Sequence, residues 1–271
     1  MKTKTILGLF CLLLFVFSCR EDKGLQWVQN KVIELDSITP IGLTMLNGDL
    51  WLADGDNNQV VQLDISGKLN NIYEDFDRPM HLSNDGKLLL IPEYGKDQIT
   101  QMSGAERVAL PLIDSLDAPG GVDYVDGKYA IADFYNHRIL YGAGEQWISF
   151  GTEGKEQGQL YYPTDVQIVN DSIYVADAYN NRIQVFDARG KSILLFGSEE
   201  KMNAATGLYV SDNQVFVTDF ENNRVVVYDK KGKLNQIIKE NLSKPTDLLI
   251  SDGTLYVTNY KSRNVVLFKQ Q

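Results

Sequence analysis

The 271-residue chain has few of the residues that build disulfides and metal sites, with two cysteines and two histidines. A disulfide framework, a thiolate zinc site and a multi-histidine metal centre are therefore excluded. Basic residues are also scarce, since 26 lysines and arginines face 36 aspartates and glutamates, giving a formal net charge of −10. Binding to nucleic acid or to anionic lipid headgroups depends on clustered lysine and arginine, so neither is expected.

The sequence also lacks an apolar run of transmembrane length. The run Ile6–Phe17 has 12 residues, whereas a membrane-spanning helix needs about 20. This run follows Lys2 and Lys4 and ends just before Ser18-Cys19. A basic start, a short apolar segment and a small-residue end are typical of an export signal that is later removed.

The end of this signal, Val16-Phe17-Ser18-Cys19, resembles a bacterial lipobox, although Phe17 is bulkier than the small residue usual there. The resemblance implies a signal peptide over 1–18, a diacylglycerol on Cys19 and a polar tether over 19–30. It also implies anchoring in the bacterial cell envelope, on the outer membrane facing the periplasm or on the surface. The alternative is a simple cleavable signal with Cys19 unmodified. Cys11 would be removed with the signal, as suits an oxidising compartment.

The rest of the chain repeats about every forty residues, six times. The copies align on six starting residues at intervals of 39 to 44: Pro40, Pro79, Pro119, Pro163, Ala205 and Pro245. Fourteen positions later each copy has an acid or its amide: Asp54, Glu93, Asp133, Asp177, Asp219 and Asn259. Five positions further on comes a glutamine, arginine or asparagine: Gln59, Gln98, Arg138, Arg182, Arg224 and Asn264.

Each copy contains four short apolar runs separated by turn residues. In the fourth copy the runs are Asp165–Val169, Ile173–Asp177, Arg182–Asp187 and Ser192–Phe196. Runs this short and rich in Val, Ile, Tyr and Phe predict strands. Four antiparallel strands repeated six times predict an all-β, six-bladed β-propeller over 31–271.

The last copy stops after its third run, Asn264–Lys269, so its blade lacks an outer strand. Lys31–Leu35 precedes the first copy and has no other partner. We therefore predict that this N-terminal strand completes the last blade and closes the ring, which removes an exposed sheet edge.

The fourth copy resembles the NHL repeat, especially at Tyr174-Val-Ala-Asp177 and Asn180-Asn-Arg-Ile-Gln-Val-Phe-Asp187. The resemblance is close for this copy and looser for the other five, and it implies an NHL-type six-bladed propeller. It does not imply one function, because that family includes enzymes, sensors, protein adaptors and RNA binders.

Propeller topology predicts which loops share a face. The loops that join the second and third strands of each blade lie on the same face as the connections between blades, which we call the upper face. The opposite, lower face has tight turns such as Asn47-Gly48-Asp49. Ligand binding is expected on the upper face, where loops are longer and more varied. The acid–arginine pair recurs from copy to copy, so we interpret it as a tie within each blade and not as catalytic machinery.

Aromatic residues are concentrated in the upper-face loops. Rings at the mouth of a propeller can stack on sugars or hold a peptide, and the alternative is that they pack between loops. The candidate ligand-binding residues are Tyr94, Phe134, Tyr135, Tyr162, Tyr179, Phe220 and Tyr260.

Two positions after each start, glycine alternates with a polar residue: Gly42, His81, Gly121, Asp165, Gly207 and Asp247. The three polar side chains are predicted to point towards the propeller axis with roughly threefold spacing. One imidazole and two carboxylates could hold a divalent cation such as Ca²⁺. The alternative is a wide, wet channel in which each side chain bonds separately to backbone or water, and no cofactor is required.

Three functions are consistent with these patterns. The favoured one is a lipid-anchored, non-catalytic monomer that binds a protein, peptide or glycan and contacts the membrane through its lipid only. The second is a metal-assisted lyase or hydrolase, similar to the lactonase-type propellers, with its site at the mouth of the central channel. The third is a sensor or scaffold of an envelope complex. No nucleophile elbow or phosphate-binding glycine loop is present, which favours binding over catalysis.

Overall fold

A computed structural model describes residues 25–271. The predicted signal peptide and Cys19 lie outside these residues. Within residues 25–271, the helical segments are two short 3₁₀ turns, Gly55–Asn57 and Ala178–Asn180. Neither has the length and hydropathy of a membrane span.

The described chain forms 24 strands, numbered β1 to β24 in chain order. The first strand, β1, is Trp27–Glu34. Blade 1 contains β2 (Gly42–Leu46), β3 (Asp49–Asp54), β4 (Gln59–Leu63) and β5 (Leu69–Tyr73). Blade 2 contains β6 (Ser83–Asn84), β7 (Leu89–Glu93), β8 (Gln98–Ser103) and β9 (Glu106–Ala109). Blade 3 contains β10 (Pro119–Val125), β11 (Lys128–Asp133), β12 (Arg138–Ala143) and β13 (Gln146–Phe150).

The second half of the chain repeats this arrangement. Blade 4 contains β14 (Pro163–Val169), β15 (Ser172–Asp177), β16 (Arg182–Asp187) and β17 (Ser192–Phe196). Blade 5 contains β18 (Ala205–Val210), β19 (Gln214–Asp219), β20 (Arg224–Asp229) and β21 (Leu234–Ile238). Blade 6 contains β22 (Pro245–Ser251), β23 (Thr254–Asn259) and β24 (Asn264–Gln270). Each blade is a four-stranded antiparallel sheet, with strands in chain order in blades 1 to 5 and with β1 as the fourth strand of blade 6, so the prediction of six four-stranded blades is confirmed.

The N-terminal strand closes the ring as predicted. β1 pairs antiparallel with β24, and the pairing runs from Trp27 opposite Gln270 to Glu34 opposite Asn264. The strand therefore begins earlier than the predicted Lys31. Trp27 is buried and its ring lies 5.5 Å from that of Phe216 in blade 5, so the closing strand also packs against the neighbouring blade.

The hydrophobic core is divided into six clusters, each between two adjacent blades. Valine, isoleucine and leucine from the two middle strands of each blade fill these spaces because alternate residues of a strand face alternate neighbours. The innermost strands β2, β6, β10, β14, β18 and β22 surround the axis. Packing between blades therefore fixes which side chains meet there.

Candidate functional site

The glycines of the alternating pattern let neighbouring innermost strands approach closely at the axis. A Cβ atom added to Gly42 would lie 2.3 Å from the Met80 carbonyl oxygen and 2.7 Å from the His81 Cα. At Gly207 the same atom would lie 2.8 Å from the Asp247 Cα. Such separations are far inside van der Waals contact, so only glycine fits. Each glycine thus lies against the polar residue of the next blade and narrows the channel.

The backbone near the axis is irregular in two of the blades that carry the polar residues. In blade 6 the ladder between β22 and β23 shifts register between Pro245 and Leu248, and the Asp247 amide donates to Thr258 Oγ1 at 2.9 Å. In blade 2 the backbone at His81 leaves its own sheet and its amide donates to the Gly120 carbonyl of blade 3. Bulges of this kind re-aim a side chain without ending the sheet.

The three polar side chains of the pattern meet at the axis, as predicted. His81, Asp165 and Asp247 are buried, and each offers a ligand atom within 4.8 Å of the other two. Nδ1 of His81 lies 3.3 Å from Oδ2 of Asp247, but it makes no aligned hydrogen bond with any residue of the described chain. We call these three residues the axial triad. The expectation of a channel too wide for them to converge is wrong for this chain. The other part of that alternative holds for both carboxylates, since Asp165 accepts from the Leu208 amide and Asp247 from the Leu43 amide of neighbouring innermost strands.

Burial and the charges of neighbouring groups shift the pKa values of two residues of the axial triad. Burial, together with the Asp247 carboxylate, raises the pKa of Asp165 to about 7, despite the opposing effect of His81. Burial alone would lower the pKa of His81, but the carboxylates of Asp247 and Asp165 outweigh it and raise that pKa. Two buried carboxylates repel unless positive charge separates them. The axial triad therefore favours a bound proton or a bound cation.

A cavity of about 230 Å³ lies beside the axial triad. Its lining begins at Asp165 and Asp247 and continues along the innermost strands to Ser251, where the lower-face turn of blade 6 starts. Asp123 and Gln167 contribute polar groups to its wall. The cavity therefore extends from Asp165 and Asp247 of the axial triad towards the lower face, opposite to the face on which binding is predicted from the sequence.

Five of the seven candidate aromatic residues form one group on the upper face. Ring centroids lie 5.0 Å apart for Phe134 and Tyr135, 4.8 Å for Phe134 and Tyr162, and 4.9 Å for Tyr162 and Tyr179. Tyr94 joins the group at 5.9 Å from Phe134. Tyr135 and Tyr179 keep 48% and 58% of their surface exposed, so they are free to contact a ligand. We call these five residues the aromatic patch.

The other two candidates lie apart from the aromatic patch. Phe220 and Tyr260 form a pair at 6.2 Å between blades 5 and 6. The Tyr260 hydroxyl donates to Asp56 at 2.9 Å, and the ammonium group of Lys244 lies 4.9 Å from the Phe220 ring centroid. These contacts hold loops of neighbouring blades together, which matches the packing alternative for this pair.

One residue of the upper face, His137, was not predicted to take part in binding. Its ring stacks on Tyr161 at 5.4 Å, and its Nδ1 accepts a hydrogen bond from the Tyr162 amide at 3.1 Å. At the same repeat position, Asn181 accepts in the same way from the Ala204 amide. The repeat alignment could therefore have indicated this role, because in both copies the residue before the arginine accepts a hydrogen bond from an amide of the next connection between blades.

The recurring acid–arginine pairs are structural, as predicted. Asp177 is fully buried and accepts from Arg182 Nε at 2.7 Å and from the Tyr161 amide at 2.7 Å. Arg182 also donates to the carbonyls of Lys155 and Gln159 in the connection from the preceding blade. Asp133–Arg138 and Asp219–Arg224 repeat the pair at 2.7 and 2.6 Å. These pairs lie within one blade, as predicted, and they also fasten the connection from the preceding blade to it.

Fold and repeats together define the class: the chain is a six-bladed β-propeller that contains NHL repeats. Residues 160–186 and 202–228, in blades 4 and 5, match the NHL repeat family. A search of curated protein sequences finds no match.

Several solved structures resemble the fold over most of the chain. A streptogramin B lyase is 16% identical, with a TM-score of 0.65 over 91% of this chain and 97% of that chain. A catalytically inactive virginiamycin B lyase from Staphylococcus aureus, bound to quinupristin, is 17% identical, with a TM-score of 0.64 over 91% of this chain and 87% of that one. A gluconolactonase from Xanthomonas campestris is 13% identical, with a TM-score of 0.73 over 89% of each chain. At these identities the likeness concerns the fold alone.

Proposed function

We propose that this chain is a non-catalytic binding protein of the bacterial cell envelope, and that its ligand is a protein, peptide or glycan held on the upper face. The aromatic patch is the observation that carries this proposal. Its inner rings pack against each other, so the two exposed rings are held rigidly and lose little entropy when a ligand stacks on them. Aromatic residues also dominate the binding energy of protein interfaces.

The charges around the aromatic patch suit a polar ligand with apolar faces. Arg78 lies over the Tyr94 ring, with its guanidinium carbon 4.9 Å from the ring centroid. Acidic residues border the same face, since Asp56 binds Tyr260 and Glu221 forms an ion pair with Lys244. Sugar rings, and peptides that bind to tyrosine side chains, present apolar faces with hydrogen-bonding groups at their edges. Both kinds of ligand therefore suit a surface of aromatic rings with charged residues of both signs at its border.

Replacing both exposed rings by the double substitution Tyr135→Ala/Tyr179→Ala should weaken ligand binding by about 30-fold or more. Stability should change little because both side chains are exposed. The measurement is a glycan array and a peptide panel, probed with the full chain carrying Cys19→Ala so that no lipid is attached. Ile65→Ala, which removes an exposed side chain in a lower-face turn, is the matched control. A double variant that binds as well as wild type would refute this use of the patch, and one that unfolds would show that the rings serve packing.

The proposed anchor is a lipid on Cys19, which is supported by the resemblance of Val16-Phe17-Ser18-Cys19 to a lipobox. A second means of attachment is not needed if two acyl chains are present, because each buried methylene adds about 0.8 kcal/mol. Cys19→Ala should therefore move the protein from the membrane fraction to the soluble fraction in cell fractionation. Retention of the variant in membranes after a high-salt wash would contradict the proposal.

A second candidate function is metal-assisted hydrolysis or lyase chemistry at the axial triad. The convergence of three buried ligand groups beside a cavity favours it. A divalent cation there would act as a Lewis acid on a carbonyl group or on water. The chain's own contribution would be His81, Asp165 and Asp247 as ligands and a cavity wall that positions the molecule. Lyase and lactonase propellers share the fold, and this likeness is consistent with the candidate without assigning a substrate.

A further inference from the structure

The strongest unexplained feature of the axial triad is a buried nitrogen without a hydrogen bond. His81 keeps only 3% of its surface exposed, yet its Nδ1 has no aligned partner in the described chain. Nearly all buried polar atoms in proteins have a partner, so an exception beside two carboxylates calls for a ligand. This nitrogen lies 3.3 Å from Oδ2 of Asp247, a distance at which a protonated imidazole and the carboxylate form an ion pair. The imidazole and the two carboxylates each offer a ligand atom within 4.8 Å of the other two, so one ion could contact all three.

The two carboxylates are already oriented by the backbone. Asp165 accepts from the amides of Val166 and Leu208, both at 2.8 Å. Asp247 accepts from the amides of Leu248 at 2.8 Å and Leu43 at 2.9 Å. Each oxygen takes one of these bonds and has a second lone pair left. Backbone amides therefore fix both side chains in place, as outer partners do for metal ligands, without using up their capacity to bind a cation.

We propose that the axial triad is a binding site for a divalent transition metal of the Zn²⁺ or Mn²⁺ type, with an open coordination position towards the lower-face cavity. The proposal rests on the second candidate function and deepens it by naming the class of cation. Zn²⁺ readily takes an imidazole nitrogen and carboxylate oxygens, and catalytic zinc sites commonly have three protein ligands. Ca²⁺ instead takes six to eight oxygens, which three side chains with one imidazole do not supply. This choice departs from the Ca²⁺ suggested by the sequence.

The cavity provides a matched control for this proposal. Asp123 belongs to the same cavity wall and is a half-buried carboxylate whose oxygens accept from the Ile168 amide at 2.7 Å and the Ser83 hydroxyl at 3.2 Å. It lies outside the group whose ligand atoms converge. An Asp123→Asn variant should thus change the charge of the cavity without removing a metal ligand.

Calorimetric titration of chelator-treated full chain carrying Cys19→Ala tests the proposal. Zn²⁺ and Mn²⁺ should each bind at one site, and Ca²⁺ should bind at least about 100-fold more weakly. Asp165→Asn and Asp247→Asn should each weaken Zn²⁺ binding by about 100-fold, whereas Asp123→Asn should bind as the parent does. Absence of Zn²⁺ and Mn²⁺ binding, a preference for Ca²⁺, or equal weakening by Asp123→Asn would overturn the proposal.

A second measurement needs no variant of the triad and so does not depend on its folding. Pulsed electron paramagnetic resonance of the Mn²⁺-loaded protein should detect one directly bound imidazole nitrogen. The chain has two histidines, and His137→Asn, which restores the residue of other repeats, should keep the signal. A Mn²⁺ spectrum without nitrogen coupling, or loss of the coupling in His137→Asn, would refute the assignment of His81. Metal binding without lyase or hydrolase turnover would leave this site intact and refute only the second candidate function.

Discussion

Deletion of residues 20–36 is expected to lower the melting temperature by roughly 15 °C or more. The deletion removes β1 and with it three buried side chains, Trp27, Ile33 and Leu35. Losing a large buried apolar side chain costs about 2–5 kcal/mol, and each kcal/mol lowers the melting temperature of a domain of this size by about 2–4 °C. The deletion also exposes the edge of β24, which favours aggregation.

Differential scanning calorimetry of the deletion variant is the direct measurement. The matched control is deletion of residues 20–24, which removes no residue of β1 and should melt as the parent does. If the longer deletion melted at the parent temperature, ring closure by the N-terminal strand would not contribute to stability.

Gly42→Ala is expected to destabilise the protein by about 3 kcal/mol, a large effect for one methyl group. The new Cβ would overlap the Met80 carbonyl and the His81 Cα, and neither of these backbone atoms can move without shifting blade 2. Separation of blades 1 and 2 at this point would also move His81 away from the two carboxylates. The same variant should therefore lose affinity for Zn²⁺ as well as stability.

Gly48→Ala is the control for the Gly42 substitution. Gly48 lies in a lower-face turn at φ +82°, and a Cβ there would meet no atom within 4 Å. Gly48→Ala should lower the free energy of unfolding only by the cost of placing alanine in a left-handed backbone conformation, about 1–2 kcal/mol. Chemical denaturation of both variants compares the two costs. Equal destabilisation would contradict the idea that close approach of blades 1 and 2 requires a glycine at position 42.

The architecture was predictable because each repeat carries its own turn signals and its own four apolar runs. In the fourth copy the predicted runs Arg182–Asp187 and Ser192–Phe196 coincide with β16 and β17. The orphan segment Lys31–Leu35 was also assigned correctly, since β1 covers most of it. Strands predicted from such local patterns agree with the folded structure because the same pattern occurs in six copies.

The axial triad was predictable only in part. Alternation with glycine indicated that His81, Asp165 and Asp247 point to the axis, but the width of the channel depends on how far the blades approach. That approach depends on individual contacts such as Gly42 against Met80, which no repeat alignment contains. The side of access was also beyond the sequence, because it follows from which residues line the cavity below the triad.

The grouping of the seven candidate aromatic residues was also predictable only in part. All seven candidate rings share the upper face in the repeat alignment, yet Phe220 and Tyr260 form a separate pair. Their partners Asp56 and Lys244 come from other blades, so their packing depends on contacts between repeats and not on the repeat itself. His137 was missed because a histidine was considered as a metal ligand, whereas its ring acts as a hydrogen-bond acceptor for Tyr162.

The central claim about the propeller axis is our proposal that three alternate blades build one cation site there. Anomalous X-ray diffraction at the zinc absorption edge tests it most directly, on crystals of the Cys19→Ala chain grown with Zn²⁺. The account predicts an anomalous peak about 2.0–2.2 Å from a His81 nitrogen and from one oxygen each of Asp165 and Asp247. A map without a peak at the axis, with zinc bound only at surface carboxylates, would contradict it.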